Sequence, residues 1–249
     1  RLGLSDAELK RIVVRYPMVI RNRYDTNMGP KLEKVQRMLG LDDFQLKRLV
    51  LRWPSILGVS YEKKIEPSLF KLQQRLRLND EEFKKLVKHK PSLISLNYED
   101  NVEPTIAKLQ NRLNLTEGEL ERVLPSILGL SYENDVEPSL VKLQKRLQLD
   151  DTELKMLVLR YPIILNYNYE DNTKPSLAKV QRGLNLTNLE LKKAVLNSPA
   201  LCSNYERKFE STLSKLKNRL GLTDAELKIV IMRAAQVVHV SFDTTLKPF

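Results

Sequence analysis

A helix-capping pattern recurs along this chain at a nearly constant interval. In each occurrence a Ser, Thr, Asp or Asn is followed three residues later by Glu or Gln, an arrangement in which the two residues satisfy free amides at a helix start. The pairs are Ser5/Glu8, Asp42/Gln45, Asn79/Glu82, Thr116/Glu119, Asp150/Glu153, Thr187/Glu190 and Thr223/Glu226. Their spacings are 37, 37, 37, 34, 37 and 36 residues. Self-similarity at this period predicts stacked helical repeats that bury a continuous core only together.

Each repeat reads as two helices joined by a proline stop and a loop. In the fifth repeat, Leu154 and Leu157 recur at helical spacing before Pro162, which lacks an amide hydrogen and ends the helix. Pro175 stands in the first turn of a second helix, where the missing donor costs nothing. The stop prolines are Pro17, Pro54, Pro91, Pro125, Pro162 and Pro199, with Ala235 in the seventh place. The second-helix prolines are Pro30, Pro67, Pro104, Pro138, Pro175 and Pro248, with Ser211 in place of one.

The pattern predicts an all-α fold, an α-solenoid of about seven repeats, right- or left-handed. One domain over residues 1–249 is expected, because a 42% hydrophobic content can fill a continuous core and no low-complexity stretch suggests a linker. The repeat units are 5–41, 42–78, 79–115, 116–149, 150–186, 187–222 and a partial unit, 223–249. Since solenoids normally finish in polar capping repeats, the sequence is expected to be a fragment of a longer chain.

Two repeats depart from the period: one loop residue is missing between Pro199 and Ser211, and the larger change is in the fourth repeat. Relative to the stretch from Leu86 to Pro91, three residues are missing between Arg122 and Pro125, so the first helix of the fourth repeat is expected to lose most of a turn. The deletion is either simply tolerated or changes the local curvature of the stack where a ligand bends.

The charge predicts a polyanionic partner. The chain has 42 Lys and Arg against 31 Asp and Glu, a net charge of +11 and a pI near 9.6. Four residues after each second-helix proline place there is a lysine: Lys34, Lys71, Lys108, Lys142, Lys179 and Lys215. Three or four residues further on there is an arginine: Arg37, Arg75, Arg112, Arg146, Arg182 and Arg219. At helical spacing these residues lie away from the apolar stripe, so stacking predicts a ladder of cations that contacts nucleic acid.

A second basic series lies two residues before the stop proline. Its members are Arg15, Arg52, His89, Arg160 and Arg233, and Asn197 interrupts it. A cation at a helix C-terminus is favoured by the helix dipole, so the series has a structural explanation as well as a functional one. The arginines of this series are the candidates for contacts to base edges.

Other recurring residues have a structural interpretation. Glu66, Glu103 and Glu137 precede second-helix prolines, where a negative charge suits a helix start. One aromatic residue recurs in the loop of each repeat: Tyr24, Tyr61, Tyr98, Tyr132, Tyr169, Tyr205 and Phe242. Base stacking is one reading of these aromatics, and packing of the loop with the hydroxyl hydrogen-bonded is the favoured one. Cys202 is the only cysteine and is predicted to be buried.

No residue pattern indicates catalysis or a bound metal. His89 and His239 are too few and too far apart in sequence to suggest a metal site, and no nucleophile with a base, phosphate loop or paired carboxylates is present. No apolar run approaches the roughly 18 residues of a membrane helix. We therefore expect no enzyme activity, no cofactor, no metal and no membrane partner.

Together the capped helix, the proline stop, the tyrosine loop and the second helix resemble the repeat of the mitochondrial transcription termination factor (mTERF) family. The stop segments are Pro-Ser-Ile-Leu at 54–57, Pro-Ser-Leu-Ile at 91–94, Pro-Ser-Ile-Leu at 125–128 and Pro-Ile-Ile-Leu at 162–165. The resemblance covers nearly all of the chain. It implies two α-helices and a short 3₁₀-helix per repeat, a left-handed superhelix, and a positive groove for nucleic acid. Members act in mitochondria or chloroplasts on transcription, its termination, RNA maturation or ribosome assembly.

The resulting hypothesis is electrostatic clamping of double-stranded DNA by a monomer that regulates transcription or its termination in a mitochondrion or chloroplast. Other organellar gene-expression proteins remain candidate partners. Two alternatives stay open: an RNA-binding factor in RNA maturation or ribosome assembly, and a helical-repeat scaffold that binds proteins. Steep salt dependence distinguishes a nucleic-acid clamp from a scaffold, because each phosphate contact releases counterions.

Overall fold

The structure, a computed structural model, describes residues 2–203 and 209–233, and of residues 209–212 it describes the backbone only. The chain divides into two compact units, residues 1–104 and residues 105–249. The described residues form α-helices, 3₁₀-helices and π-helical turns and contain no strand, which confirms the predicted all-α class. The single domain stays a prediction. The predictions for Tyr205, Ala235, His239, Phe242 and Pro248 lie outside the described residues, as does the side chain of Ser211.

The described residues contain thirteen α-helices, and in each complete repeat an odd-numbered first helix is followed by an even-numbered second helix. They are α1 (Asp6–Arg15), α2 (Gly29–Leu39), α3 (Asp43–Arg52), α4 (Glu66–Leu76), α5 (Asp80–His89), α6 (Glu103–Leu113), α7 (Glu117–Ile127), α8 (Glu137–Leu147), α9 (Asp151–Arg160), α10 (Lys174–Gly183), α11 (Asn188–Asn197), α12 (Phe209–Leu220) and α13 (Asp224–Arg233). Every first helix begins directly after its predicted capping residue. In α9, for example, Glu153 N donates to Asp150 Oδ1 at 2.8 Å, and Asp150 N donates to Glu153 Oε2 at 2.9 Å. The capping prediction is confirmed.

The stop prolines at five of the six sites end a first helix and begin a 3₁₀-helix. These segments are Pro17–Arg21, Pro54–Leu57, Pro91–Ser95, Pro162–Asn166 and Pro199–Cys202. The residue before the proline leaves helical geometry, as Trp53 does at φ −131° and ψ 71°, because the proline ring disfavours the α region there. Ile56 and Leu57, two and three residues after Pro54, are buried. The stop therefore turns the chain while keeping two apolar side chains in the core.

Pro125 does not stop its helix, so the prediction for the fourth repeat is wrong. Helix α7 runs through Pro125 to Ile127 and has 11 residues, against 10 in α5. The three-residue deletion removes the non-helical residue that precedes the proline elsewhere, so the segment that forms a 3₁₀-helix in other repeats becomes the last turn of α7. Leu124 and Ile127 are 0% and 2% exposed. Burial of these side chains offsets the backbone hydrogen bond that proline cannot donate.

We expect Pro125→Ala to raise the free energy of unfolding by about 1–2 kcal/mol, because proline inside a helix costs up to ~3 kcal/mol relative to alanine. Urea denaturation of the full chain, followed by circular dichroism, measures the change. Pro162→Ala is the matched control: Pro162 begins a 3₁₀-helix, where its ring suits the backbone, and no gain is expected. A loss of stability in Pro125→Ala would contradict this account of α7.

A five-residue π-helical turn leads into the second helix of each of the first five repeats, a feature that the sequence pattern did not predict. The turns are Tyr24–Met28, Tyr61–Ile65, Tyr98–Val102, Tyr132–Val136 and Tyr169–Thr173. A Ser or Asn before the tyrosine caps four of them, as when Asn168 Oδ1 accepts from the amides of Glu170 (2.9 Å) and Asp171 (3.2 Å). The tyrosine and the residue after it are thereby held at a fixed place in each repeat.

The core consists of apolar residues at the same positions of successive repeats. In residues 1–104, Leu32 and Val35 of α2 and Val50 of α3 are fully buried. In residues 105–249, Leu177 and Val180 of α10 are fully buried. These are the stripes that the helical periodicity predicts, and their burial is the main stabilising term of each unit.

Candidate nucleic-acid interface

The lysines of the second helices form ion pairs with the next repeat. In residues 1–104, Lys34 pairs with Glu62 and Lys71 with Glu99; in residues 105–249, Lys108 pairs with Glu133 and Lys142 with Glu170. The Lys142–Glu170 distance is 2.8 Å. Each glutamate directly follows a loop tyrosine in the π-helical turn. Lys179 and Lys215 occupy the same position on α10 and α12. A carboxylate thus compensates each of the four lysines Lys34, Lys71, Lys108 and Lys142.

The sequence interpretation missed these glutamates, although a signal was present. The dipeptide Tyr-Glu recurs at 61–62, 98–99, 132–133 and 169–170, at the period of the lysines. Sequence reading assigned the acids to helix starts alone. Only the stacking of repeats shows that a turn of one repeat faces the second helix of the previous one.

Two second-helix arginines also bind the next repeat. Arg112 Nη2 donates to Gln144 Oε1 at 2.7 Å, and its Nε and Nη1 lie 3.3 Å from Glu137 and Asp151. Arg146 donates to Gln181 and to Asn188. Arg37, Arg182 and Arg219 are exposed, and Arg75 is half-buried. That these residues bind nucleic acid stays a prediction, but the structure gives Arg112 and Arg146 a role in stacking.

The loop tyrosines pack as predicted in several repeats. Tyr61 and Tyr169 are buried. The Tyr132 hydroxyl donates to Glu137 Oε2 at 2.6 Å, and burial together with this bond raises the pKa of Tyr132. Tyr98 makes the equivalent bond to Glu103, and its pKa is raised for the same reasons. The glutamates before the second-helix prolines are therefore structural, and these tyrosines are anchors of the loop.

The arginines before the stop prolines contact the neighbouring first helix. Arg15 Nη1 donates to Leu51 O at 3.2 Å, and Arg160 Nη1 donates to Leu196 O at 2.8 Å. Each acceptor is a carbonyl in the last turn of the next first helix, which has no partner within its own helix. One N–H group of each arginine satisfies this carbonyl. The other N–H donors of the guanidinium belong to an exposed side chain. Arg52 and Arg233 are exposed at the same position.

A further basic series lies four residues before this one and was missed by the sequence interpretation. Six residues after the capping residue, successive first helices carry Arg11, Arg48, Lys85, Arg122, Met156, Lys193 and Ile229. All are exposed. Residues four apart lie on one face of a helix, so this series and the pre-proline series share a face. The signal was a fixed offset from the capping residue.

We call this surface the first-helix basic face. Its members are Arg11, Arg15, Arg48, Arg52, Lys85, His89, Arg122, Arg160, Lys193 and Arg233. Within residues 2–203 and 213–233, no ion pair joins any member to a carboxylate. Residues 1–104 carry 21 Lys and Arg against 14 Asp and Glu, and residues 105–249 carry 21 against 17. Both units therefore carry an excess of positive charge. Within the described residues, the members of the first-helix basic face form no ion pair, unlike Lys34, Lys71, Lys108 and Lys142 of the second helices.

Another set of first-helix lysines, five residues after the capping residue, joins consecutive repeats. Lys47 pairs with Glu8, and in residues 105–249 Lys155, Lys192 and Lys228 pair with Glu119, Glu153 and Glu190, at 2.6–2.8 Å. Each glutamate belongs to the capping box of the previous repeat. The same lysines donate to backbone carbonyls just before the first helix of the previous repeat, as Lys192 does to Gln148 O at 2.8 Å.

These ion pairs between repeats predict that the protein loses stability in acid. Hydrogen bonds from Lys142 and Lys174 lower the pKa of Glu170 to about 2, and those from Lys228 and Thr187 lower the pKa of Glu190 to about 2. A depressed carboxyl pKa stabilises the fold above the unfolded value near 4.5, and this contribution is lost as pH falls towards 2. We expect the urea midpoint of the full chain to fall over this range. Glu190→Gln should show a smaller fall, and an identical pH dependence would contradict the assignment.

The described residues offer no metal cluster and no membrane-spanning helix. No group of three or more His, Cys, Asp or Glu side chains is placed to hold a metal ion. None of the helices in the described ranges is long and apolar enough to cross a membrane. Cys202 is fully buried, as predicted, and burial raises the pKa of its thiol to about 12.

Capped helix pairs, proline-initiated 3₁₀-helices and a face of exposed cations define a helical-repeat protein with a basic surface on its first helices. The chain belongs to the mTERF family, whose model matches residues 1–249, the entire sequence. Proteins of this family are nucleic-acid-binding factors in gene expression that generally act in organelles and are not enzymes. A comparison with curated proteins finds no match.

Proposed function

We propose that this protein binds duplex nucleic acid, with double-stranded DNA preferred over RNA, and regulates transcription or its termination in a mitochondrion or chloroplast. The observation that carries the proposal is the separation of charge between the two helices of a repeat. Four second-helix lysines, together with Arg112 and Arg146, meet a carboxylate or an amide of a following repeat, whereas within the described residues no member of the first-helix basic face forms an ion pair. A phosphate backbone supplies the missing negative charge.

The recurrence of these cations in successive repeats supports a nucleic-acid backbone as the ligand, rather than a single small anion. Within residues 1–104, Arg11, Arg48 and Lys85 lie on three successive first helices, and within residues 105–249 Arg122 and Lys193 hold the same place. A nucleic-acid backbone presents phosphates at regular intervals, so cations repeated at one position per helix pair can meet several of them. Such contacts position the ligand and do not read its sequence.

Arg15 and Arg160 are suited to a more specific role. Their bonds to Leu51 O and Leu196 O hold each guanidinium in place while other donors remain exposed. A held guanidinium loses less conformational entropy on binding a base edge than a mobile one does. We keep Arg15, Arg52, Arg160 and Arg233 as the candidates for base contacts.

The second-helix lysines are secondary candidates in this proposal. Lys34, Lys71, Lys108 and Lys142 are 44–49% exposed in their ion pairs. Exposed pairs of this kind are weak and screened by water, so a phosphate close to them can replace the glutamate. Binding there must displace a carboxylate, which favours the first helices as the main contact.

Fluorescence titration of the full chain with duplex DNA, duplex RNA and single strands, at several salt concentrations, tests the proposal. Duplex DNA should bind most tightly, and log affinity should fall linearly with log salt, by ~0.9 for each phosphate contact. Tighter binding of duplex or single-stranded RNA would favour a role in RNA maturation or ribosome assembly. Binding of no nucleic acid would leave the protein scaffold as the better reading.

A further inference from the structure

A cleft of about 230 Å³ lies in the first unit, between α3 and α5. Its polar lining consists of Gln45, Arg48, Arg52 and Lys88, and its apolar lining of Leu39, Leu41, Leu49, Val87 and Pro91. No carboxylate lines it. It is smaller than the clefts that enclose drug-sized ligands, so a ligand larger than one ring with a charged group must extend beyond it.

The polar groups of the cleft are hydrogen-bond donors. Arg48 and Arg52 form no ion pair within the described residues, as members of the first-helix basic face. Lys88 Nζ has one weak bond, to Gly40 O at 3.3 Å, and keeps two further donors. Gln45 uses its Oε1 to accept from Asp42 N, which leaves its amide hydrogens as donors. Three cations and one amide therefore converge on an opening that contains no anion.

An aromatic ring adjoins these cations. Phe44 is 67% exposed, and the Arg48 guanidinium carbon lies 5.7 Å from the centre of its ring. Stacked repeats do not need this ring, because the same position holds Ala7, Glu81, Gly118, Thr152, Leu189 and Ala225 in the others. Nor do they need Lys88, whose position holds Val14, Leu51, Leu159, Leu196 and Met232. Of the two residues that depart from the repeat pattern, Lys88 thus lines the cleft and Phe44 lies beside Arg48 of its lining.

We infer that this cleft and Phe44 form a binding site for a nucleotide, with the phosphate on Arg52 and Lys88 and the planar base against the apolar lining and Phe44. Arginine and lysine supply charge-assisted hydrogen bonds to phosphate, and an exposed aromatic ring supplies a stacking surface. The ligand is a phosphorylated heterocycle, either free in solution or unpaired within a strand. The site shares Arg48 and Arg52 with the first-helix basic face and differs from backbone contacts along that face in that it binds a planar ring.

Calorimetry of the full chain with AMP, adenosine and inorganic phosphate tests this inference. AMP should bind at one site per chain and more tightly than either fragment. Arg52→Ala/Lys88→Ala should weaken AMP at least about tenfold, since two charge-assisted bonds are lost. Phe44→Ala should weaken AMP and leave inorganic phosphate unchanged. Lys10→Ala/Lys145→Ala is the matched control: it removes the same charge from exposed sites outside the cleft and should retain AMP affinity.

Absence of AMP binding, or AMP affinity unchanged in Arg52→Ala/Lys88→Ala, would overturn the inference, and circular dichroism confirms that each variant is folded. A duplex with one unpaired nucleotide identifies the source of the ligand. If it binds more tightly than the paired duplex and Phe44→Ala removes the difference, the nucleotide comes from a strand. If AMP binds without such a difference, the ligand is a free nucleotide. Paired duplex binding without AMP binding would refute this inference while leaving the proposed function intact.

Discussion

Replacing Lys85, Arg122 and Lys193 by alanine is expected to lower the affinity for duplex DNA by about 100-fold and to reduce the salt slope by roughly 2.7. All three are exposed members of the first-helix basic face and form no ion pair in the described residues. Each replacement removes one charge that forms no ion pair and, within the described residues, breaks no side-chain hydrogen bond between repeats, so the fold should be retained. Fluorescence titration at several salt concentrations measures both quantities.

The matched control removes the same charge from the second helices. Lys71→Ala, Lys108→Ala and Lys142→Ala together change the net charge by the same amount, but each of these lysines is already paired with a glutamate of the next repeat. We expect an effect of only a few fold. If this variant loses as much affinity as the first, the second-helix ladder is the main contact, and the assignment to the first helices is wrong.

Gly58→Ala is expected to lower the free energy of unfolding by about 1–3 kcal/mol, the usual cost of overpacking. A Cβ atom added to Gly58 would overlap the phenol ring and hydroxyl of Tyr16, which precedes the first stop proline. Gly58 has φ −103°, a value that alanine adopts freely, so the expected cost is steric. Urea denaturation of the full chain measures it.

Two further variants test the cause. Gly118→Ala makes the same substitution in α7, where an added Cβ meets no atom within 4 Å, and it should stabilise by up to about 1 kcal/mol because alanine favours helix. In Gly58→Ala/Tyr16→Ala the two effects should be less than additive, since the overlap disappears with the ring. Additive effects would show that Tyr16 is not the obstacle.

Much of the fold could be predicted from the sequence, because its signals act between residues that are close together in the chain. The capping box needs only two side chains three residues apart, and all seven predicted first helices begin where it places them. Likewise the missing amide of proline terminates a helix wherever a non-helical residue can precede it, as at Trp53 and Pro54. In α7 the same residue type failed as a signal, because the deletion changed what surrounded it.

The candidate site was less predictable for a related reason. Sequence spacing placed Lys71 and its equivalents on one face of their helices, and five of the six are exposed there. It did not show that Glu99, 28 residues later, would face Lys71. That pairing depends on how one repeat packs against the next, which is a long-range contact. Arg48 and Arg52 can also be read from the sequence. That no carboxylate forms an ion pair with them depends on how the repeats pack.

By itself the sequence determined the repeat, the starts of the first helices, the buried stripes and the excess of positive charge, since each depends on local periodicity or on composition. The tertiary structure alone decided which cations are compensated, because an ion pair requires two atoms within about 4 Å, whatever their separation along the chain. It tied the second-helix lysines to glutamates of the next repeat and left the first-helix arginines exposed.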